Sequence, residues 1–168
     1  MRKSKHFFFY MMLLAGALSL GSCDSEEGFQ EEEFHATGTG VFILNEGNYQ
    51  AGNSTLSYYD PSKKTVENGV FSRANDRKLG DTGQSVILRG TDAFIAVENS
   101  GIIWKIDATT FKVRGQLDSK STGGKMINPR YIHFISDTKA YATDLYAPYI
   151  TVFNPQTMEY IKSIPPGQ

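Results

Sequence analysis

The stretch from Gly83 to Leu117, GQSVILRGTDAFIAVENSGIIWKIDATTFKVRGQL, contains four short apolar runs separated by turn residues. The same layout returns 47 residues later and without a gap, from Arg130 to Ile164, as RYIHFISDTKAYATDLYAPYITVFNPQTMEYIKSI. Thr91, Ala93, Ile103 and Thr110 fall on Thr138, Ala140, Ile150 and Thr157, while Phe94 falls on Tyr141, Ile106 on Phe153 and Asp107 on Asn154. Upstream, half of the unit recurs, with Leu56, Tyr59, Asp60, Val66 and Val70 in the places of Ile103, Ile106, Asp107, Val113 and Leu117. A period of about 40 to 50 residues with four strands per unit marks a β-propeller. The expected fold class is all-β, a partial β-propeller of about three four-stranded antiparallel blades.

The repeat assigns strands directly. In the second unit they are Ser85 to Leu88, Ala93 to Val97, Ile102 to Ile106 and Lys112 to Leu117. In the third they are Tyr131 to Ile135, Ala140 to Thr143, Tyr149 to Phe153 and Tyr160 to Ile164. The first unit supplies Val41 to Leu44, whose unbroken apolar run suggests burial on both faces, then Thr55 to Tyr59 and an outer strand from Thr65 to Phe71. Its inner strand is missing, because the approach to Val41 is polar and rich in Gly and Thr. Three blades, about 39–72, 83–118 and 129–165, fill the region 39–168. Propellers close with about four to eight blades, so the expectation is a fragment of a longer chain, with a fan completed by self-association as the lesser alternative.

The composition excludes several function classes. A net charge of −1 with 21% charged residues lacks the basic surplus of a nucleic-acid binder. The single cysteine, Cys23, leaves no internal disulfide and no cysteine-based zinc site. No two histidines have metal-ligand spacing, and no Gly-x-Ser-x-Gly elbow is present. His133 lies mid-strand and is read as a packed residue. Ser121 to Lys125 lacks the first glycine of a phosphate loop and is read as a surface loop; Trp104 is assigned to the core. A non-catalytic protein without cofactor or metal is expected.

The N-terminus carries an address. Arg2, Lys3 and Lys5 precede an apolar run from Phe7 to Leu20, shorter than the roughly 20 residues of a membrane span. The run ends in Leu20-Gly21-Ser22-Cys23, which resembles a bacterial lipobox. Residues 1–22 are therefore expected to be a lipoprotein signal peptide, Cys23 the lipidated residue, and 23–38 an acidic flexible tether. Ser25-Glu26-Glu27 just behind the cysteine resembles the export signal of Bacteroidetes surface lipoproteins and favours the outer face of the outer membrane.

The strings Phe42-Ile43-Leu44-Asn45-Glu46-Gly47-Asn48, Ser57-Tyr58-Tyr59-Asp60-Pro61, Ala74 to Ser85 and Pro129-Arg130-Tyr131-Ile132 together resemble the YncE-like seven-bladed β-propeller surface lipoproteins of Bacteroidetes. That group includes BtuG-type relatives that capture cobalamin. The resemblance covers about residues 38 to 164 and departs in length, since this chain has room for three blades. It implies a small polar ligand, cobalamin or another corrinoid, delivered to an outer-membrane transporter from a lipid-anchored protein.

In such a scaffold the loop after the second strand and the linker to the next blade lie on one face, the usual ligand face. It would collect Asn45, Glu46, Asn48 and Tyr49 from the first unit, Asn99 from the second, and Asp144 and Tyr146 from the third. The linkers add Asn75, Asp76, Arg77, Asp81, Gln84 and Arg130. Amides, tyrosines and a few charges suit a large polar ligand held by many hydrogen bonds and aromatic faces. The alternative for each residue is a turn-forming role, and for the whole chain a cell-envelope interaction scaffold with no small-molecule ligand.

Overall fold

The computed structural model describes residues 34–165 and 167; the expected signal peptide, Cys23 and most of the expected tether lie outside the described residues. Three antiparallel sheets follow one another along the chain. The first contains β1 (Val41–Asn45), β2 (Thr55–Asp60) and β3 (Thr65–Glu67). The second contains β4 (Gly83–Arg89), β5 (Asp92–Val97), β6 (Ile102–Asp107) and β7 (Val113–Asp118). The third contains β8 (Pro129–Ser136), β9 (Lys139–Asp144), β10 (Ile150–Asn154) and β11 (Glu159–Ile164). Each strand pairs with its successor in sequence, so each sheet is a meander, as in a propeller blade.

Side-chain alternation in the second sheet feeds two cores. Ala93, Ile95 and Val97 of β5, with Ile102, Trp104 and Ile106 of β6, meet Leu56, Tyr58 and Phe71 from the first sheet and its linker. The intervening Phe94, Ala96 and Ile103 meet Ile132, Ala140, Ala142 and Phe153 of the third sheet. Successive residues of a strand point to opposite faces, so a strand packed on both sides is apolar throughout, as the buried run Ala93 to Val97 is. Gly115 permits the second seam: a Cβ there would stand 2.9 Å from Met158 Cγ.

The repeat reaches the level of single backbone angles. Lys64, Phe111 and Met158, spaced 47 apart, have φ of 55°, 61° and 61°. Each closes the turn that leads into its sheet's last strand. Asp60 and Asp107 accept backbone N–H bonds from Ser62 and Thr109 at the start of that turn, and Asn154 Oδ1 accepts one from Gln156. A left-handed non-glycine residue costs about 1–2 kcal/mol. At Phe111 burial offsets this, with its ring 5.6–6.0 Å from those of Phe34, Phe42 and Tyr58.

Four local expectations are corrected. The outer strand assigned to Thr65 to Phe71 stops at Glu67, and Val70–Asn75 forms a helix, α1. Gly69, at φ 64°, turns the chain, and the helix buries both Val70 and Phe71, which adjacent strand positions could not point the same way. β1 is not covered on both faces: Phe42 and Leu44 pack inward, whereas Val41 and Ile43 are 53% and 38% exposed, because no described residues cover that side of the first sheet. His133 is exposed rather than packed, lying on the face of β8 opposite to Ile132 and Phe134. The end of the expected tether belongs to the domain: Phe34 stacks on Phe111, Ala36 is buried, and its N–H donates to Thr109 O at 2.8 Å.

Candidate functional site

Meander topology puts the 46–54, 68–82, 98–101, 119–128 and 145–149 connections at one end of the sheets. Contacts tie them in sequence across the three blades. Gly83 N–H donates to Glu46 O at 3.1 Å, Asp81 N–H to Ser100 Oγ at 2.8 Å, Ser119 N–H to Gly101 O at 3.0 Å, and Leu145 N–H to Asn128 O at 3.0 Å. This is the face on which the sequence places the candidate residues.

One polar chain crosses all three blades at the inner strand ends. Gln84 Nε2 lies 3.5 Å from Glu46 Oε1 of the first blade. Its Oε1 accepts from Arg130 Nη2 of the third blade at 2.9 Å. Arg130 Nη1 stands 3.0 Å from Glu98 Oε2 of the second. The Arg130 and Glu98 side chains are 30% and 10% exposed. A carboxylate this buried is costly unless paired, and here the pairing is incomplete. The arginine N–H is not aimed along the contact, so Glu98 Oε2 has a counter-charge at ion-pair distance but no hydrogen bond. The chain therefore alternates acceptor, amide, cation and acceptor, with one buried acceptor lone pair still open.

A second cluster adjoins it through Glu98 N–H, which donates to Thr82 O at 2.8 Å. Asp81, 9% exposed, accepts from Asn99 Nδ2 at 2.7 Å and from Thr82 Oγ1 at 3.0 Å. Gly80 makes room for it: at φ +136° a Cβ would sit 2.6 Å from Ser100 Oγ.

The remaining sequence candidates divide by role. Asn45 Nδ2 bridges strands, reaching Thr55 Oγ1 and Ser57 Oγ at 3.0 Å each. Asn48 shapes its own loop, its N–H donating to Asn53 Oδ1 at 2.8 Å. Asn75 is a clamp: it donates to Phe71 O and Phe111 O and accepts from Val113 N–H, tying α1 to the outer edge of the second sheet. Asp76 ends α1 in the left-handed conformation, and Arg77 lies over Trp104 at 5.7 Å. Asp144 is saturated by four backbone N–H groups, those of Ile127, Asn128, Tyr146 and Ala147, at 2.7–3.0 Å. Tyr49 and Tyr146 are 68% and 72% exposed and free to meet a partner.

The structure thus joins Glu46 with Arg130 and Asp81 with Asn99. It engages Asn75 and Asp144 in hydrogen bonds to backbone groups. Glu98 was not among the sequence candidates, although a signal exists: an acidic residue directly follows the buried run Ala93 to Val97 where the third unit has Leu145. Thr122, in the expected surface loop, is buried, and its Oγ1 accepts from Met126 N–H at 3.0 Å. Among the described residues no group of three or more His, Cys, Asp or Glu is placed to hold a metal. Behind the 45–54 loop a cavity of about 220 Å³ lies over Leu56, Phe71 and Leu79 with Lys78 at its rim.

Sheets of three, four and four strands stacked on shared apolar seams, with polar connections gathered at one end, define a β-propeller-like protein. The chain belongs to the family described as Domain of unknown function (DUF5074), whose match spans residues 39–167. No curated protein matches it.

Proposed function

We propose that the chain is a non-catalytic binding module that captures a small polar ligand on the face carrying Glu46, Gln84, Glu98 and Arg130. On this reading it is a lipid-anchored protein of the outer-membrane surface, and it passes its ligand to a transporter in that membrane. The likeness of its strings to YncE-like and BtuG-type propeller lipoproteins makes cobalamin or another corrinoid the first ligand to try. The observation that carries the reading is the polar chain centred on Arg130. Three blades contribute to it, and it leaves a buried Glu98 oxygen without a hydrogen bond. Polar groups converging from separate elements, with one bonding position unfilled, suit a ligand that supplies the missing donor.

The test is a titration of the full chain with cyanocobalamin, followed by calorimetry and by visible absorbance. Saturable binding is expected, weakened at least tenfold by Arg130→Ala and by Glu98→Gln. A flat titration with folded protein counts against a corrinoid, and a screen of small polar metabolites that also finds nothing counts against the module itself. That outcome would favour the second reading, a cell-envelope interaction scaffold. Its support is the exposed apolar set Val41, Ile43, Tyr131 and Ile135 on the outer sides of the first and third sheets.

A further inference from the structure

A second polar site lies at the opposite end of the sheets, where the rims of the second and third blades meet. A groove of about 420 Å³ opens there between Arg89, Asp92 and Lys105 of one blade and Asp137 and Gln156 of the next. β4–β5 and β5–β6 register places Arg89 beside Asp92 and Lys105 beside Phe94, so the cationic side chains share the sheet face that packs on the third blade.

Both cations are held in place by that blade. The Arg89 guanidinium lies 4.7 Å from the Phe134 ring centroid, and Lys105 Nζ donates to Gln156 O at 3.0 Å. The charges of the rim balance as three cations, Arg89, Lys105 and Arg114, against three carboxylates, Asp92, Asp107 and Asp137. The carboxylates are not equivalent. Asp92 and Asp107 are 20% and 16% exposed, and Asp92 is shared between Lys105 and Arg114. Asp137 is 81% exposed on the tight turn between β8 and β9, and its Oδ1 takes one hydrogen bond from Arg89 Nη2 at 2.5 Å. An ion pair with one partner so exposed is worth about 0–1 kcal/mol. The arginine fork can instead hold an oxyanion through two parallel bonds.

We propose that this groove is an oxyanion site, taking a phosphate or carboxylate group, in which Asp137 is a built-in competitor that the ligand displaces from Arg89. Arg89 then binds the incoming group, the Phe134 ring keeps the guanidinium oriented, and Lys105 adds a second positive charge. Asp137 swings into solvent, where it is already largely hydrated. The site is independent of the face that carries Arg130.

The proposal predicts an inverted mutational effect. In the full chain at low ionic strength, inorganic phosphate and acetate are titrated while backbone amide NMR signals of Gly90, Thr91 and Thr138 are followed. Saturable shifts are expected with at least one of the two anions. Asp137→Asn, an exposed change that leaves the turn intact, strengthens binding by about two- to fivefold, the fold-change equivalent of a surface ion pair. Arg89→Gln weakens it at least tenfold, and Glu98→Gln on the other face leaves it unchanged. If Arg89→Gln does not fold, the Asp137→Asn result alone decides. No saturation in either the native chain or Asp137→Asn overturns the proposal, as does weaker binding by Asp137→Asn.

Discussion

The turns that lead into the last strand of each sheet and the loops at the opposite end obey different rules. Residues 60–64, 107–111 and 154–158 are near copies. Each opens with an Asp or Asn that bonds the backbone ahead of it, and each closes with a left-handed residue. At the other end the 46–54 loop, the 68–82 segment with its helix and the 119–128 turn differ in length and in bonding. In the turns the side chains serve their own backbone, which fixes their identity and lets the pattern repeat. At the other end some side chains answer to the neighbouring blade, as Gln84 at the start of β4 does to Arg130 and Glu46.

That contrast can be broken by substitution. The largest effect is expected at Phe111. Phe111→Gly relieves the left-handed backbone but removes a ring shared by Phe34, Phe42 and Tyr58, for a net loss of about 2–4 kcal/mol in urea unfolding. Asp144→Ala comes next. It strips four backbone N–H groups of their acceptor and should cost about 2 kcal/mol, so a loop on the variable face can be as demanding as a turn. At Lys64, the exposed counterpart of Phe111, the same change to glycine should have the opposite sign and stabilise by up to about 1 kcal/mol. Equal signs at the two positions would mean that the turns are not equivalent.

Acid sensitivity offers a smaller effect, common to both ends. Asp118 is held below its ordinary pKa by the backbone N–H of Ser121, despite opposing burial. At Asp107 burial pushes the value up, but the N–H groups of Thr110 and Thr109 outweigh it and the net shift is downward. Asp60 is likewise lowered, chiefly by the Ser62 hydroxyl. A carboxyl with a depressed folded pKa contributes stability in full above its unfolded value, and that contribution is lost as pH falls through the folded value. Stability should therefore hold to about pH 4 and decline below it, and Asp118→Asn should reduce the decline.

Much of this architecture was visible in the chain itself. The 47-residue recurrence of Thr, Ala, Ile and Asp positions located ten of the strands and the turns between them, because strand alternation and turn chemistry are local. It failed at Thr65 to Phe71, where Gly69 redirects the chain and burial of Val70 with Phe71 decides the outcome. The site was less legible. The connections that share one end of the sheets could be read from the repeat, yet the partners of Asn75 lie as far away as Phe111 O and Val113 N. Nothing near Asn75 in sequence distinguishes an amide that clamps a backbone from one that waits for a ligand. Glu98 escaped notice for the converse reason: its significance lies in Arg130, on the next blade.

Trp104 is the chain's one tryptophan, and its place in the first seam has a practical consequence. Its indole N–H donates to Leu79 O at 2.9 Å, Phe71 lies 5.4 Å from its ring, and it is 6% exposed. The protein thus carries a single tryptophan, excitable selectively at the red edge of its absorption where tyrosine does not absorb, that reports on the junction of the first two blades. Emission should shift to the red when that junction opens, even while the junction of the second and third blades stays shut. Comparing the emission shift with the loss of far-ultraviolet ellipticity would show whether the blades come apart together or one at a time, without attaching any label.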